Sequence, residues 1–325
     1  MGKHFEPRMP RLEVRRPARV GDPLGPARST AYGPGWRRTG HGFFVPVDCP
    51  RTPEQRVVEA CLPLPRGGVL TGWASLRMRR VAFFEGLDAP VTILLPLSSH
   101  PKARASTRWL RREGVEAEGL VEGIPLAGVG EALLDHVADE LAAGRAREAV
   151  VAVDMTAAAG VGGVADVLQA AAGRARLRHR SDVERVAALS VERSMSPPES
   201  RLRLIWLLDA KLPVPLLNYW IEDEHGRRVA VPDLLEPEAG VAVEYDGSSH
   251  AALARRTRDA EKDDLYRELG LEPVRITALD MRRPHHVADR LQRAYARARG
   301  STRTRSWRLG APFAGTRTRL RDRPG

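Results

Sequence analysis

The chain predicts a mixed α/β (α+β) protein of two domains joined by a helical connector, and three observations carry that prediction. Its 325 residues suit two domains of ordinary size, or one large domain with extensions. Short alternating runs bounded by Gly and Pro read as strands. Runs with apolar spacing near the helical period, opened by Ser, Thr or Pro and closed by Gly, read as helices. The hydrophobic fraction of 42% comes with only 5% aromatic residues, so the cores are expected to be aliphatic.

Taken in order, residues 1–30 are rich in Arg and Pro without periodicity, which predicts a disordered basic segment. Residues 31–125 form a small mixed module: "GFFVPVD" and "PVTILLP" read as strands, and "TPEQRVVEACLPL" as a helix with a Thr or Pro start. Residues 126–190 read as a helical connector. There "AGVGEALLDHVADELAAG" sets Leu133, Leu134, Val137 and Leu141 on one face, and "AREAVVAVDMTAAAG" and "VADVLQAAAG" stop at Gly.

Residues 191–296 open with a helix entered through Ser196 and two prolines, its face supplied by Leu202, Ile205, Trp206 and Leu208. Three strands follow, joined by the turns "EDEHGR" and "EPEAG". A helix stopping at Gly270, the strand "EPVRIT" and the helix "HHVADRLQRAYARARG" complete an αβββαβα unit, and 297–325 reads as a flexible basic tail.

Lys and Arg number 52 against 41 Asp and Glu, a net charge of +11 that favours a polyanionic partner, because each Arg meeting a phosphate releases counterions. Nucleic acid comes first and an anionic membrane surface second. The cations are nearly all Arg in an Ala-rich chain, a bias that GC-rich coding would also produce, so basicity alone is weaker support for a polyanionic partner. Cys49 and Cys61 support neither a disulfide framework nor a Cys-based zinc site, and a reducing cytoplasm is the simplest home. The N-terminus lacks an apolar signal segment, and the apolar stretch 149–172 is interrupted by Asp154 and Asp166, so no membrane span is expected.

The chemistry concentrates in "VPDLLEPEAGVAVEYDGSSH", residues 231–250. Side chains alternate along a strand, so Glu244 and Asp246 share one face, and a hairpin through "EPEAG" brings Asp233 near Glu244. Acids this close repel unless a proton or a cation joins them, and a hard divalent ion such as Mg²⁺ suits carboxylate oxygens. The plainer reading of the same residues is a solvated hairpin face with a turn aspartate.

The motifs "SPPES", "VPDLLEP", "VAVEYDGSSH", "RTRDAEKDDLYRELG" and "VRIT", in this order, resemble the restriction-endonuclease-like PD-(D/E)xK superfamily over about residues 196–290. Within it they resemble the Vsr-like branch known as domain of unknown function 559. Through "GWRRTGHGFFVPVD" and "GGVLTGWASLRMRRVAFFEG", residues 31–125 resemble the abortive-infection antitoxin-like, winged-helix-like region that often precedes such domains in actinobacterial proteins.

The first resemblance implies a restriction-endonuclease-like fold around a central mixed sheet, and Mg²⁺-dependent or Mn²⁺-dependent hydrolysis of DNA without a small-molecule cofactor. Its catalytic set is Glu199, Asp233, Glu244, Asp246, His250 and Lys262, with Asp233, Glu244 and Glu199 as metal ligands. Arg256 and Arg258 on the following helix are implied DNA contacts. In the N-terminal module Arg37, Arg38, Arg77, Arg79 and Arg80, beside Trp36 and Trp73, read either as phosphate contacts or as ordinary basic residues next to buried aromatics.

The superfamily pattern wants Lys two residues after the glutamate. Asp246 stands there, so Lys262 or His250 must substitute. Each residue keeps an ordinary alternative: Glu199 as an acid in a first helical turn, Lys262 as a helical ion-pair partner of Asp259 or Asp263, and His250 as a polar turn residue. The competing function is a non-catalytic, antitoxin-like DNA-binding regulator on a degenerate nuclease scaffold.

Overall fold

A computed structural model describes residues 8, 12–40, 42–86, 88–247 and 262–313. They divide between Glu192 and Arg193 into two compact units, both mixtures of helices and sheets.

In the N-terminal unit, β1 (Ala18–Arg19), β2 (Trp36–Gly40) and β3 (Phe43–Pro46) form an antiparallel sheet in the order β1-β3-β2. Helix α1 (Pro53–Ala60) starts at Thr52, whose hydroxyl accepts the Gln55 N–H at 3.2 Å, with proline in the first turn where no amide donor is needed. A mixed five-stranded sheet follows from β4 (Val69–Leu70), β5 (Val91–Leu95), β6 (Thr107–Arg111), β7 (Gly119–Val121) and β8 (Ile124–Leu126), in the order β6-β5-β4-β8-β7. Its strand β5, "VTILL", is buried along its whole length, as an interior strand with two covered faces must be.

The helices α2 (Gly72–Met78), α3 (Val129–Ala142), α4 (Ala146–Ala158), α5 (Val164–Gly173) and α6 (Arg180–Leu189) complete this unit. The region expected as a connector is therefore part of the first unit, because α3 packs on α2 as well as on α4 and α5. On α3, Leu133, Leu134 and Val137 are buried as their spacing predicts, and Leu141 only partly so. Buried Asp135 on the same helix joins the layers. It accepts from Thr71 Oγ1 after β4 at 2.7 Å, from Arg112 after β6 at 3.0 Å and from Arg174 after α5 at 2.8 Å.

Residues 12–30, expected to lack structure, are bound to this unit. The Arg15 amide donates to Gln55 Oε1 at 2.7 Å, Gln55 Nε2 returns a bond to the Arg15 carbonyl at 2.8 Å, and Ala18 is buried on β1. Backbone hydrogen bonds and small buried alanines leave no periodic signal in the sequence, which is why composition misjudged the segment.

The C-terminal unit begins with α7 (Pro197–Leu204), which runs on as a π-helical turn, Ile205–Asp209. Its strands are β9 (Leu216–Leu217), β10 (Tyr219–Asp223), β11 (Arg228–Ala230), β12 (Leu234–Glu236), β13 (Val241–Asp246), β14 (Glu272–Thr277) and β15 (Trp307–Pro312), with α8 described over 262–268 and α9 spanning Pro284–Arg299. The three strands expected after α7 are five short ones shared between two sheets. The central sheet has the order β14-β13-β12-β9 and is mixed, β13 and β14 being parallel; the second has the order β11-β10-β15. The chain leaves one sheet for the other at Val231–Asp233, where Pro232 has no N–H for a ladder.

Leu235 and Ala242, paired across β12 and β13, pack with Tyr266 and Leu269 around α8 and with Trp307 of β15. The expected flexible tail is thus two things among the described residues: Arg297 and Arg299 end α9, and 307–312 is a strand. Trp307 explains the difference, since its burial anchors an otherwise basic segment. Residues 314–325 lie outside the described part. Gly270 stops α8 at φ +81°, and a Cβ there would lie 2.4 Å from the Thr304 carbonyl oxygen, so both conformation and space require glycine. Among the described residues no helix is long and apolar enough to cross a membrane.

Candidate active site

The site grows from strand register. Leu234 faces Val243 and Leu235 faces Ala242, and this register, carried one residue beyond the ladder, sets Asp233 across from Glu244. Glu244 is in turn opposite Arg275 on β14. On the other side Leu217 faces Leu234, which sets Asn218 beside Asp233, and the Asn218 N–H donates to the Asp233 carbonyl at 3.3 Å. A row of polar residues, Asn218, Asp233, Glu244 and Arg275, therefore crosses the central sheet at one end.

Asp233 is fully buried, and its Oδ2 accepts the Tyr245 N–H at 2.6 Å. Strand β12 starts only at Leu234, so this carboxylate takes the place of a ladder carbonyl for β13. Glu244 keeps 12% of its side chain exposed, and its Oε1 accepts from Lys262 Nζ at 2.5 Å and from the Tyr266 hydroxyl at 2.7 Å. Burial, reinforced by Glu244, pushes the Tyr266 hydroxyl well above its ordinary pKa, so it stays a donor at neutral pH. Lys262 and Tyr266, four apart on α8, point to the same partner. Asp263 accepts from Arg275 at 2.9 Å and Lys262 pairs with Glu244, so the alternative of a helical Lys262–Asp263 pair is not what forms.

Asp246 ends β13 half-buried, two residues beyond Glu244. Between them, burial raises the pKa of the Tyr245 hydroxyl, and the positive charge of Arg201 on α7 opposes the rise. Glu199 occupies the third position of α7 and serves its cap. Oε1 accepts from Ser196 Oγ at 3.0 Å, and Oε2 accepts from Met195 N at 3.0 Å and Asn218 Nδ2 at 3.1 Å. Among the described residues no three of His, Cys, Asp and Glu lie close enough to hold a metal ion, so Glu199 does not complete a three-acid cluster with Asp233 and Glu244. His250, Arg256, Arg258 and Asp259 lie outside the described residues.

In the N-terminal unit Arg37 is committed to α1. Its two terminal nitrogens bond Glu59 at 2.8 and 2.7 Å, and that bond raises the guanidinium pKa. Arg38 next to it is exposed. Arg77 pairs with Glu54, and Arg79 donates to the Ala127 carbonyl at 2.7 Å, so these arginines serve the fold.

Sequence reasoning missed Tyr266, Arg275 and Asn218. The helical spacing from Lys262 was a usable signal for Tyr266. Arg275 and Asn218 come into the row only through strand pairing. No protein-family model, curated protein or solved structure matches the chain.

Proposed function

We propose that the C-terminal unit is a restriction-endonuclease-like module that hydrolyses DNA phosphodiester bonds with a divalent metal ion. The observation that carries this reading is the Lys262 ammonium on Glu244 Oε1, in the register position next to Asp233. It supports Lys262 as the replacement for the lysine that Asp246 displaces from the superfamily pattern.

The donor chemistry fits Mg²⁺ or Mn²⁺. Asp233 and Glu244 are oxygen ligands in adjacent register positions, and Mg²⁺ is commonly held by one or two carboxylates together with waters and phosphate oxygens. A bound ion there supplies charge stabilisation to the phosphate and acidity to a water. The chain's own groups do the rest. Tyr266 and Lys262 fix the Glu244 rotamer, the Tyr245 amide fixes Asp233, and Lys262, one-third exposed, is the cation positioned to offset negative charge as it develops. The net charge of +11, exposed Arg38, and Arg256 and Arg258 suit a phosphate backbone.

A second reading, a DNA-binding protein that no longer cuts, is favoured by one feature: Glu244 Oε1 already has two protein donors, and both Glu199 oxygens are used at the helix cap. The test is incubation of the full chain with supercoiled, linear, mismatched and single-stranded DNA in Mg²⁺, Mn²⁺ or EDTA, beside Asp233→Asn. Metal-dependent cleavage lost in the variant is the expected result. Salt-sensitive binding with no cutting on any substrate selects the second reading.

A further inference from the structure

Asn218 sits at the end of the polar row, 98% buried, in the left-handed backbone region at φ +53°. A non-glycine residue is held there only when its surroundings demand it, and Asn is among the side chains that tolerate it best.

The orientation of its amide follows from its partners. One edge lies 3.0 Å from the Arg193 carbonyl and 3.1 Å from Glu199 Oε2, both acceptors, so that edge must be the NH₂ group. The other edge is Oδ1, which is buried and has no hydrogen-bond donor among the described residues. Leaving a buried acceptor unmet is costly, so such a group calls for a partner beyond the described residues.

The chemistry of that partner is set by the neighbours. Asn218 is beside Asp233 in the sheet register and bonded to Glu199, and Asp233 is opposite Glu244. Oxygen acceptors dominate this corner, and a hard divalent cation satisfies several oxygens at once, amide oxygens included. We propose that Asn218 Oδ1 is a ligand of a divalent-cation site shared with Asp233 and Glu244, filling the place that Glu199 leaves by capping α7. The third oxygen is then a neutral amide, which adds no further negative charge to a buried pair of acids. The inference rests on the nuclease-like reading of the same row.

Mn²⁺ binding to the full chain, followed by the electron paramagnetic resonance signal of the free ion, tests it without reference to cleavage. Wild type is expected to bind, and Asn218→Gly, which suits the positive φ, to bind about tenfold or more weakly. Equal binding by wild type and Asn218→Gly, with loss only in Asp233→Asn, overturns the role of Asn218 and leaves the cation site standing. No binding by wild type overturns the cation site and this inference together. Wild-type crystals soaked in Mn²⁺ guard against misfolding of the variant. Anomalous scattering about 2.0–2.6 Å from Asn218 Oδ1 supports the assignment, and an ordered water there with the ion elsewhere overturns it.

Discussion

Asp135 in the N-terminal unit and Asp233 in the C-terminal unit are both sealed from water, at 3% and 0% exposure, yet their surroundings differ in kind. Asp135 is met by two guanidiniums and a hydroxyl, and Glu131 shares the same arginines, so charge is balanced inside the fold. Asp233 takes a backbone amide and lies in a row with Glu244, Asn218 and, through Asn218, Glu199. A buried acid closed off by arginines ties layers together. In the second row the cations, Lys262 on Glu244 and Arg275 on Asp263, come from α8 and β14 at the end of the sheet and do not tie layers together.

The contrast is open to attack, first where the largest effect is expected. Asp135→Ala should cost about 3 kcal/mol in urea unfolding of the full chain, the lower end for breaking a buried pair, because Glu131 still answers Arg112 and Arg174. A loss below about 1 kcal/mol would mean that the network is not structural. Lys262→Met should instead leave stability within about 1 kcal/mol, the pair being partly exposed, while cleavage falls about a hundredfold or more. Unchanged cleavage rates would remove Lys262 from the chemistry.

Tyr266→Phe keeps the ring in the core and removes only the bond to Glu244, for an expected loss of about 1.5 kcal/mol by thermal or chemical unfolding. Ser196→Ala should cost about 1 kcal/mol through the α7 cap, and Glu199 Oε1, released while Oε2 stays on Met195 N and Asn218, should then compete for the cation, which Mn²⁺ binding would report.

The smallest expected effect is a pH response of the N-terminal unit. His136 packs edge-on against Phe84 at 5.0 Å, and burial lowers its pKa below the ordinary 6.5, against the opposing pull of Glu140 and Asp139. The unfolded chain therefore takes up the proton first. The stabilising contribution of neutral His136 is complete above pH 6.5 and is lost as pH falls from there toward the lower folded value. Unfolding midpoints measured from pH 8 to 5 should fall less steeply in His136→Gln than in wild type, and parallel curves would discard the idea.

Much of the local structure was legible. Thr52 and Ser196 start their helices because a hydroxyl accepts an amide three residues on, and Gly270 ends one because only glycine fits its φ and its neighbour. The alternation in "VAVEYD" placed Ala242 and Glu244 on one face, and both meet α8 through Tyr266. The switch of sheets at Pro232 was harder to see, since one proline inside an alternating run signals a break without saying where the chain goes next. Trp307 was hidden among arginines, and only its burial shows that the segment is a strand.

By itself the sequence determined which residues alternate, where helices begin and stop, and an excess of positive charge suited to a polyanion, because these depend on neighbours a few positions away or on composition alone. Tertiary structure decided which partner each charged or amide side chain takes. Arg37 went to Glu59, Glu199 to a helix cap, Lys262 to Glu244, and Asn218 came to lie beside Asp233. Those outcomes depend on pairing between segments far apart in the chain, where register and burial choose one partner among many of like charge.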